Sequence, residues 1–441
     1  MAQAILNFPR GFLWGTATAS HQVEGNNLNN NWYAWEKSGH IINRNACGMA
    51  CDWWGGRWKE DFDRAAESGQ NAHRLSVEWS RIQPDLNRWD EEALDYYREM
   101  LRGLLERGLT PMVTLHHFSE PLWISELGGW QNEAIVEHFA AFVRRTVEAL
   151  QEYVHWWCTI NEPNVYAVQA YLTAEFPPGK KSLAAVYKAI NTLIKGHVAA
   201  YQIIHEIQPE AKVGLAHQYR GFAPAKPISP LDRWAAKTTS NAFNDAIPRA
   251  LVDGKLRFLG IRKRISEAKG TQDFLGLNYY TRENVAFSLL APGELFSKRF
   301  FSPEADLSPS GFIANEPEGF FQALKWAKGF KLPIMVTENG TEDAEDHFRP
   351  RYLAEHIHQL WHAVNFNWKI QGYFHWSLTD NFEWERGWAQ RFGLWELNPA
   401  TQERLKRPSA DFFAAICQQN ALSSEMVSEY APEVFARLFP D

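Results

Sequence analysis

Residues 333–340 read PIMVTENG, an apolar run that ends in polar residues. Short runs of this kind recur along the chain, and most of them are almost entirely apolar. Strands of a parallel sheet have this composition because helices cover both of their faces. We therefore predict buried strands over Phe12–Ala19, Ala72–Val77, Pro111–His116, His155–Ile160, Lys212–His217, Asp273–Tyr279, Pro333–Thr337 and Gln371–Trp376.

Segments with helical periodicity lie between these runs. Asp90 can cap a helix whose first turn is acidic, and Gly108 can end it. Further helices are expected over Leu183–Ile207, Ala235–Val252, Pro317–Trp326 and Tyr352–Val364. This alternation predicts an α/β fold, a (β/α)8 TIM barrel with elaborated βα loops. We expect residues 1–441 to form this single catalytic domain.

The alternative fold is a doubly wound open sheet, which usually carries a glycine-rich phosphate turn after its first strand. Residues 20–25 follow the first predicted strand here, and they read SHQVEG. They lack the GxGxxG spacing of such a turn. The barrel is therefore the preferred interpretation.

The composition argues against a nucleic-acid-binding, membrane-spanning or secreted protein. The 441 residues include 45 basic and 52 acidic side chains, with no long basic run of the kind that meets phosphates. No segment approaches the ~18 consecutive apolar residues of a membrane helix. Residues 1–11 contain no apolar run of signal-peptide length. We expect a cytoplasmic protein with four reduced cysteines and no nucleic-acid or membrane partner.

Catalytic groups of TIM barrels lie at the C-terminal ends of the strands. Glu162 follows the fourth predicted strand and Glu338 follows the seventh, so the two carboxylates should face each other across the barrel mouth. A glycosidase needs such a pair: one carboxyl group protonates the leaving oxygen, and the other attacks the sugar carbon or activates water. The 20 tryptophans indicate a pocket with flat apolar walls.

Two segments carry a family resemblance. Residues 159–163 (TINEP) and 337–340 (TENG) resemble the acid/base and nucleophile motifs of glycoside hydrolase family 1, the β-glucosidase family. Other segments resemble that family's strands and loops in the same order, namely Phe8–Ala19, Gln22–Gly25, His73–Ile82, Thr114–Phe118, Gly276–Tyr280 and His375–Trp384. The resemblance extends from about residue 8 to about residue 415.

The resemblance implies a retaining mechanism. Glu338 would be the nucleophile, and Glu162 would be first the acid for the leaving group and then the base for water. Arg74 and Tyr280 match the family residues that hold the nucleophile. The two carboxyl groups of a retaining pair lie about 5–5.5 Å apart, and a neighbouring arginine favours the ionised form of the nucleophile.

The resemblance also implies a substrate-binding set. Gln22, His117, Asn161 and Glu383 would hold the sugar hydroxyls, and Trp376 and Trp384 would form an aromatic floor and wall. The remaining implied substrate-binding residues are Asn278, Phe392 and, at the entrance, Trp123. His116 is excluded, since strand alternation points it away from His117. A carboxylate at Glu383 suits a neutral sugar and would repel a 6-phosphate.

We therefore expect a retaining β-glycosidase that removes terminal β-linked neutral sugars. Its expected substrate is a β-D-glucoside or a cello-oligosaccharide, with side activity on β-fucosides or β-galactosides. The alternatives are a transglycosylating β-glucosidase, a 6-phospho-β-glucosidase, and a non-catalytic glycan-binding protein on the same barrel. A metal-dependent barrel enzyme is a further alternative, but no metal-ligand spacing supports it. We expect neither a metal nor a cofactor.

Three segments depart from the family pattern or lack a clear prediction. Residues 311–317 lack the usual aglycone tryptophan, and Phe312 or Ile313 occupies its neighbourhood. Ser288–Ser310 has little periodicity, so we expect a mobile loop near the mouth. Ala421–Asp441 predicts an extra helix, packed either on the barrel or on a second subunit of a homo-oligomer.

Overall fold

The computed structural model describes residues 4–440, and a closed barrel of eight parallel strands lies at its centre. The strands are β1 (Leu13–Ala17), β2 (Ala72–Ser76), β3 (Thr110–His116), β4 (Trp156–Asn161), β5 (Lys212–Pro224), β6 (Leu275–Phe287), β7 (Ile334–Asn339) and β8 (Ile370–His375). Each strand pairs with the next, and β8 pairs with β1 to close the ring. The predicted TIM barrel and all eight of its strands are confirmed.

Helices fill the connections between the strands. Within residues 4–440 the α-helices are Ser20–Val23, Asn31–Lys37, Trp58–Glu67, Trp79–Ile82, Glu91–Glu106, Leu122–Glu126, Ile135–Leu150, Pro163–Val168, Leu183–Ile207, Pro230–Ser240, Ala246–Asp253, Pro317–Lys328, Arg349–Asn365, Pro408–Gln419, Ser424–Tyr430 and Phe435–Leu438. Shorter 3₁₀ turns are Ile42–Arg44, Gly129–Gln131, Ser266–Ala268, Pro292–Glu294, Trp384–Arg386 and Pro432–Val434, and two π-helical turns are Gln169–Thr173 and Asn241–Asp245. We find no helix in this part of the chain with both the length and the apolar composition needed to span a bilayer.

The predicted helix boundaries are largely correct. The Asp90 side chain accepts a hydrogen bond of 3.0 Å from the Ala93 amide, as expected of an N-cap. The helix Leu183–Ile207 begins and ends where the sequence predicts. Residues 235–252 are helical as predicted, but the sequence did not indicate the π-helical turn Asn241–Asp245 between the two α-helices there.

β5 and β6 extend well past the rim of the barrel, beyond their predicted ends at His217 and Tyr279. Their outer parts are only partly buried, so they lack the continuous apolar run that marks a barrel strand. A short strand, Ser297–Phe300, pairs antiparallel with the outer part of β6. These four residues of the segment Ser288–Ser310, which the sequence predicts as a mobile loop, therefore form a strand instead.

The two ends of the described chain meet on the outside of the barrel. Ile5–Asn7 pairs antiparallel with Ala421–Ser423. The helices that follow bury Val427 and Leu438 against the same core as the helix Arg349–Asn365. The C-terminal segment thus packs on its own barrel. Residues 1–3 of the predicted leader-free N-terminus and residue 441 lie outside the described residues.

Four further strands outside the barrel form two antiparallel pairs. They are Lys255–Phe258 with Ile261–Arg264, and Trp395–Leu397 with Arg404–Lys406. All four cysteines, Cys47, Cys51, Cys158 and Cys417, are buried and free, as the sequence predicts.

Candidate active site

A cavity of about 260 Å³ opens at the C-terminal ends of the strands. Nine of the sequence-predicted site residues line it: His117, Asn161, Glu162, Tyr280, Glu338, Trp376, Glu383, Trp384 and Phe392. Arg74, Gln22 and Asn278 lie directly behind this lining and are hydrogen-bonded to residues in it. The barrel therefore brings twelve of the thirteen predicted residues to one place.

Glu338 lies at the end of β7 and is held through both carboxylate oxygens. Oε1 accepts a 2.6 Å hydrogen bond from Nη1 of Arg74, and Oε2 accepts one of 2.6 Å from the Tyr280 hydroxyl. Charge-assisted hydrogen bonds of this length are among the strongest in proteins. Glu338 is therefore a fixed carboxylate, paired with a cation and restrained to one rotamer.

Arg74 is fully buried on β2 and distributes its donors over the neighbouring strands. Besides Glu338, its guanidinium donates to Thr114 Oγ1 at 3.1 Å, to the Thr337 carbonyl at 3.2 Å and to Asn161 Oδ1 at 2.7 Å. A buried cation is tolerated only when it is paired and hydrogen-bonded. Arg74 thus links the charge of Glu338 to the amide of Asn161.

Glu162 follows β4 and has a left-handed backbone, with φ of 40°. Its amide donates to the Ala216 carbonyl at 2.7 Å, and its Oε1 accepts a 2.9 Å hydrogen bond from the Asn278 amide. Burial raises the pKa of Glu162 to about 8, and the charge of Glu338 contributes to the increase. At neutral pH, Glu162 therefore holds a proton that it can donate.

His117 and Asn161 form one hydrogen-bonded unit whose donors can be assigned. Asn161 Oδ1 accepts from Arg74 and from Asn278, so Asn161 Nδ2 is the amide donor, and it lies 2.9 Å from Nε2 of His117. Burial holds the pKa of His117 well below its usual value, so the ring is neutral and its proton is on Nδ1. Within residues 4–440, Nδ1 has no hydrogen-bond partner. This N–H is therefore free to bind a ligand.

Gln22 leaves a hydrogen-bond acceptor without a partner, whereas His117 leaves a donor. Its amide nitrogen donates to Asn381 Oδ1 at 3.0 Å, to the Phe382 carbonyl at 2.9 Å and to Glu383 Oε2 at 3.1 Å. Its Oε1 is buried and has no partner among the described residues. Burial, reinforced by the charge of Glu385, raises the pKa of Glu383 to about 8. Gln22 and Glu383 thus offer acceptors and a donor to ligand hydroxyl groups.

Aromatic rings surround these polar groups. Trp376 and Trp384 lie 5.9 Å and 5.8 Å from the His117 ring, between centroids, at interplanar angles of 31° and 22°. Phe392 packs edge-on against Tyr280 at 6.3 Å. Flat apolar faces beside directed hydrogen-bonding groups suit a pyranose ring, which has apolar C–H faces and a polar rim.

Trp123 is the exception among the predicted residues, because it does not line the cavity. Its indole N–H donates to the Gln83 carbonyl at 3.1 Å, and its ring packs edge-on against Trp79. His116 is buried outside the site, where it accepts from the Trp130 indole at 3.1 Å.

The cavity also contains residues that the sequence analysis missed. Phe312 and Ile313 lie in it as anticipated, but it is lined as well by a set of charged residues, Glu175, Arg220, Glu283, Arg299, Glu385 and Arg386. These residues come from five separate segments of the chain, and none forms a motif by itself. Among the described residues, no cluster of three His, Cys, Asp or Glu side chains is placed to hold a metal ion.

Comparisons with known proteins agree with this geometry. The model of Glycosyl hydrolase family 1 matches residues 5–422. Beta-glucosidase A of Thermotoga maritima is 32% identical over 95% of this chain and 99% of its own length. The human cytosolic beta-glucosidase is 30% identical over 95% of this chain and 100% of its own. The solved structure of a beta-glycosidase from Pyrococcus horikoshii superimposes with a TM-score of 0.90, at 35% identity, and covers 97% of this chain and 98% of that one.

Proposed function

The chain belongs to glycosyl hydrolase family 1, and we propose that it hydrolyses β-D-glucosides with Glu338 as nucleophile and Glu162 as acid and base. Family membership makes it a β-glycosidase. The residue roles rest on one observation above all: Glu338 and Glu162 lie in different electrostatic environments. Glu338 forms an ion pair with the buried Arg74, while burial raises the pKa of Glu162 to about 8, so that Glu162 is mainly protonated at neutral pH.

The first step uses both carboxyl groups. A carboxylate oxygen of Glu338 attacks the anomeric carbon and forms a glycosyl ester, and the bond to the aglycone oxygen breaks. Glu162 transfers its proton to that oxygen, so the aglycone leaves as a neutral alcohol. Tyr280 and Arg74 hold Glu338 for the attack, since each donates a 2.6 Å hydrogen bond to it.

The second step reverses the role of Glu162. Once Glu338 is esterified, its negative charge is gone, and one cause of the high pKa of Glu162 disappears with it. Glu162 then takes a proton from water, whose oxygen attacks the anomeric carbon and releases Glu338. Two displacements at one carbon return the sugar with its original β configuration.

The polar groups of the cavity support a neutral sugar as the glycone. Hydrogen bonds join His117 to Asn161 and join Asn161, through Arg74, to Glu338, and this group would bind the 2-hydroxyl of the sugar. The free Oε1 of Gln22 and the Glu383 carboxyl can bind hydroxyls at the far end of the ring. We propose glucose as the preferred glycone, with fucose and galactose accepted.

Several further proposals follow. Glucosides and cello-oligosaccharides are the proposed substrates, and alcohols can replace water in the second step because both use the same intermediate. We propose a cytoplasmic enzyme, which the name of its human relative supports. We also propose that the chain acts as one catalytic domain, because its first and last described strands pair with each other. Formation of a homo-oligomer stays a prediction.

The nucleophile assignment is tested by replacing Glu338 with Gly. Hydrolysis of an activated aryl β-glucoside should be lost, and added azide should restore turnover by occupying the space of the missing carboxylate. The product should be the α-glucosyl azide, because azide attacks once, from the side of Glu338. Glu345→Gly serves as a control, since Glu345 is exposed in the loop after β7. Hydrolysis by Glu338→Gly at near-native rates would contradict the assignment.

A further inference from the structure

Three charged side chains line the part of the cavity formed by the overhanging strands. Arg220 lies on β5, Glu283 on β6, and Arg299 on the short strand Ser297–Phe300. The three strands are neighbours in the sheet, with Glu283 in the middle one. These side chains are more exposed than Glu338, at 24%, 14% and 33% against 4%. They therefore belong to the outer part of the cavity, through which a leaving group must pass.

The two arginines share a single carboxylate oxygen. Arg220 Nη1 lies 3.5 Å and Arg299 Nη1 lies 3.6 Å from Glu283 Oε2. Both distances exceed the 2.7–2.9 Å or so of a strong charge-assisted hydrogen bond, and neither contact is bidentate. Within residues 4–440 no other ion pair is formed by either arginine. One unit of positive charge thus remains without a counterion, and most of the guanidinium donors stay available.

This positive charge lies close to the reacting bond. The charge of Arg220 acts on Glu162 and opposes the increase of its pKa, so the guanidinium is near the group that protonates the leaving oxygen. The other side of the mouth differs, because Arg386 is paired one to one with Glu385 at 3.0 Å, and Glu175 adds a further acidic group there. Among the described residues that line the mouth, the excess positive charge therefore lies on the β5–β6 side.

Apolar side chains line the cavity together with the catalytic pair and these charged residues. Phe243, Phe312, Ile313, Val165 and Val168 line the same cavity. An aglycone that fits this surface has an apolar or aromatic body next to the glycosidic oxygen and a negative charge farther out. We infer that the enzyme prefers β-glucosides whose aglycone carries a carboxylate, bound by Arg220 and Arg299. This inference rests on the proposed function, because it assumes that the β-glucoside bond is cleaved in this cavity.

The test compares two aryl β-glucosides that differ only in the para substituent of the phenol, a carboxylate or a carboxamide. The ratio of their kcat/KM values is measured for the native enzyme and for Arg299→Gln. Arg299 is chosen because its removal does not alter the arginine that acts on Glu162. Using one substrate pair cancels their difference in leaving-group ability. Lys298→Gln is the matched control, since it removes one positive charge from the same strand outside the cavity.

Arg299→Gln should lower the carboxylate-to-carboxamide ratio by about 5-fold, within the range of a partly exposed ion pair. Lys298→Gln should leave the ratio within a factor of about two. For the native enzyme the ratio should also fall as salt is raised from about 0.05 M to about 0.5 M.

An unchanged ratio in Arg299→Gln, or an equal loss in both variants, would overturn the inference while leaving the proposed function intact. A ratio in the native enzyme that does not respond to salt would overturn it too, and this measurement needs no variant to fold. Failure of the native enzyme to cleave either substrate would instead contradict the proposed function, and the inference would fall with it.

Discussion

Replacing Glu338 with Gln should lower the pKa of Glu162. Burial raises this pKa to about 8, and the charge of Glu338 is the second contribution to the increase. The carboxyl groups of a retaining pair lie about 5 Å apart, and at an effective dielectric of about 20 two unit charges at that distance interact by about 3 kcal/mol. Since one pKa unit corresponds to about 1.4 kcal/mol, the pKa of Glu162 should fall by about two, to about 6.

The substitution keeps the size of the side chain and removes only its charge. Arg74 stays in place, and its positive charge favours the ionised form of Glu162, so it acts in the same direction. Burial is unchanged, which keeps the pKa above the ordinary value of 4.5. The variant also imitates the glycosyl-enzyme, in which Glu338 carries no charge. It therefore measures the change that converts Glu162 from acid to base.

The measurement is a carbon NMR titration of protein labelled at the glutamate side-chain carboxyl carbons. The resonance of Glu162 is assigned by its absence from the Glu162→Gln variant. The native enzyme should titrate near pH 8 at this position, and kcat/KM should fall above that pH as the proton is lost. An unchanged pKa in Glu338→Gln would show that the two groups are not coupled, and the proposed exchange of roles would be wrong.

Three further predictions concern single side chains. Glu162→Ala should reduce kcat/KM by about 100-fold or more for glucosides of alcohols and by far less for glucosides of acidic phenols. Only the alcohol needs a proton in order to leave. Equal losses on both substrates would show that Glu162 is not the acid. Tyr280→Phe deletes a 2.6 Å hydrogen bond to Glu338 and should cost about 10- to 100-fold in kcat/KM at constant fold, measured by steady-state kinetics and circular dichroism; native kinetics would show that the hydroxyl does not position the nucleophile. Burial raises the pKa of Glu120 to about 7, so the folded state binds this proton more tightly than the unfolded state does. The free energy of unfolding should therefore fall by about 3 kcal/mol as the pH rises from about 4.5 through 7. Glu120→Gln should remove this part of the decline in urea titrations, whereas the exposed control Glu106→Gln should not; parallel pH profiles for both would refute the attribution.

The barrel was predictable because its strands are buried on both faces. Runs such as Pro333–Thr337 are apolar throughout, and in a parallel barrel every strand obeys this rule. Strand segments that are not buried on both faces do not have this apolar composition. The outer parts of β5 and β6 are only partly buried, so they lack the continuous apolar run that marks their inner parts. The π-helical turn Asn241–Asp245 also escaped prediction, since the apolar periodicity continues on either side of it.

The inner part of the site was predictable for a related reason. Glu162 and Glu338 follow buried strands directly, so their position in the chain places them at the mouth of the barrel. Arg220 and Arg299 lie on the overhanging strands, where the sequence does not show which residues face the cavity. Trp123 was assigned to the entrance by its matching position alone, and it does not line this cavity. Its indole is held instead by the Gln83 carbonyl.

The most direct test of the retaining mechanism is the stereochemistry of the first product. Proton NMR spectra are recorded during rapid hydrolysis of an aryl β-glucoside, before mutarotation interconverts the anomers. Double displacement through Glu338 predicts that the β-anomer of glucose appears first and that the α-anomer follows only by mutarotation. First appearance of the α-anomer would mean a single displacement, and the roles assigned to Glu162 and Glu338 would be wrong.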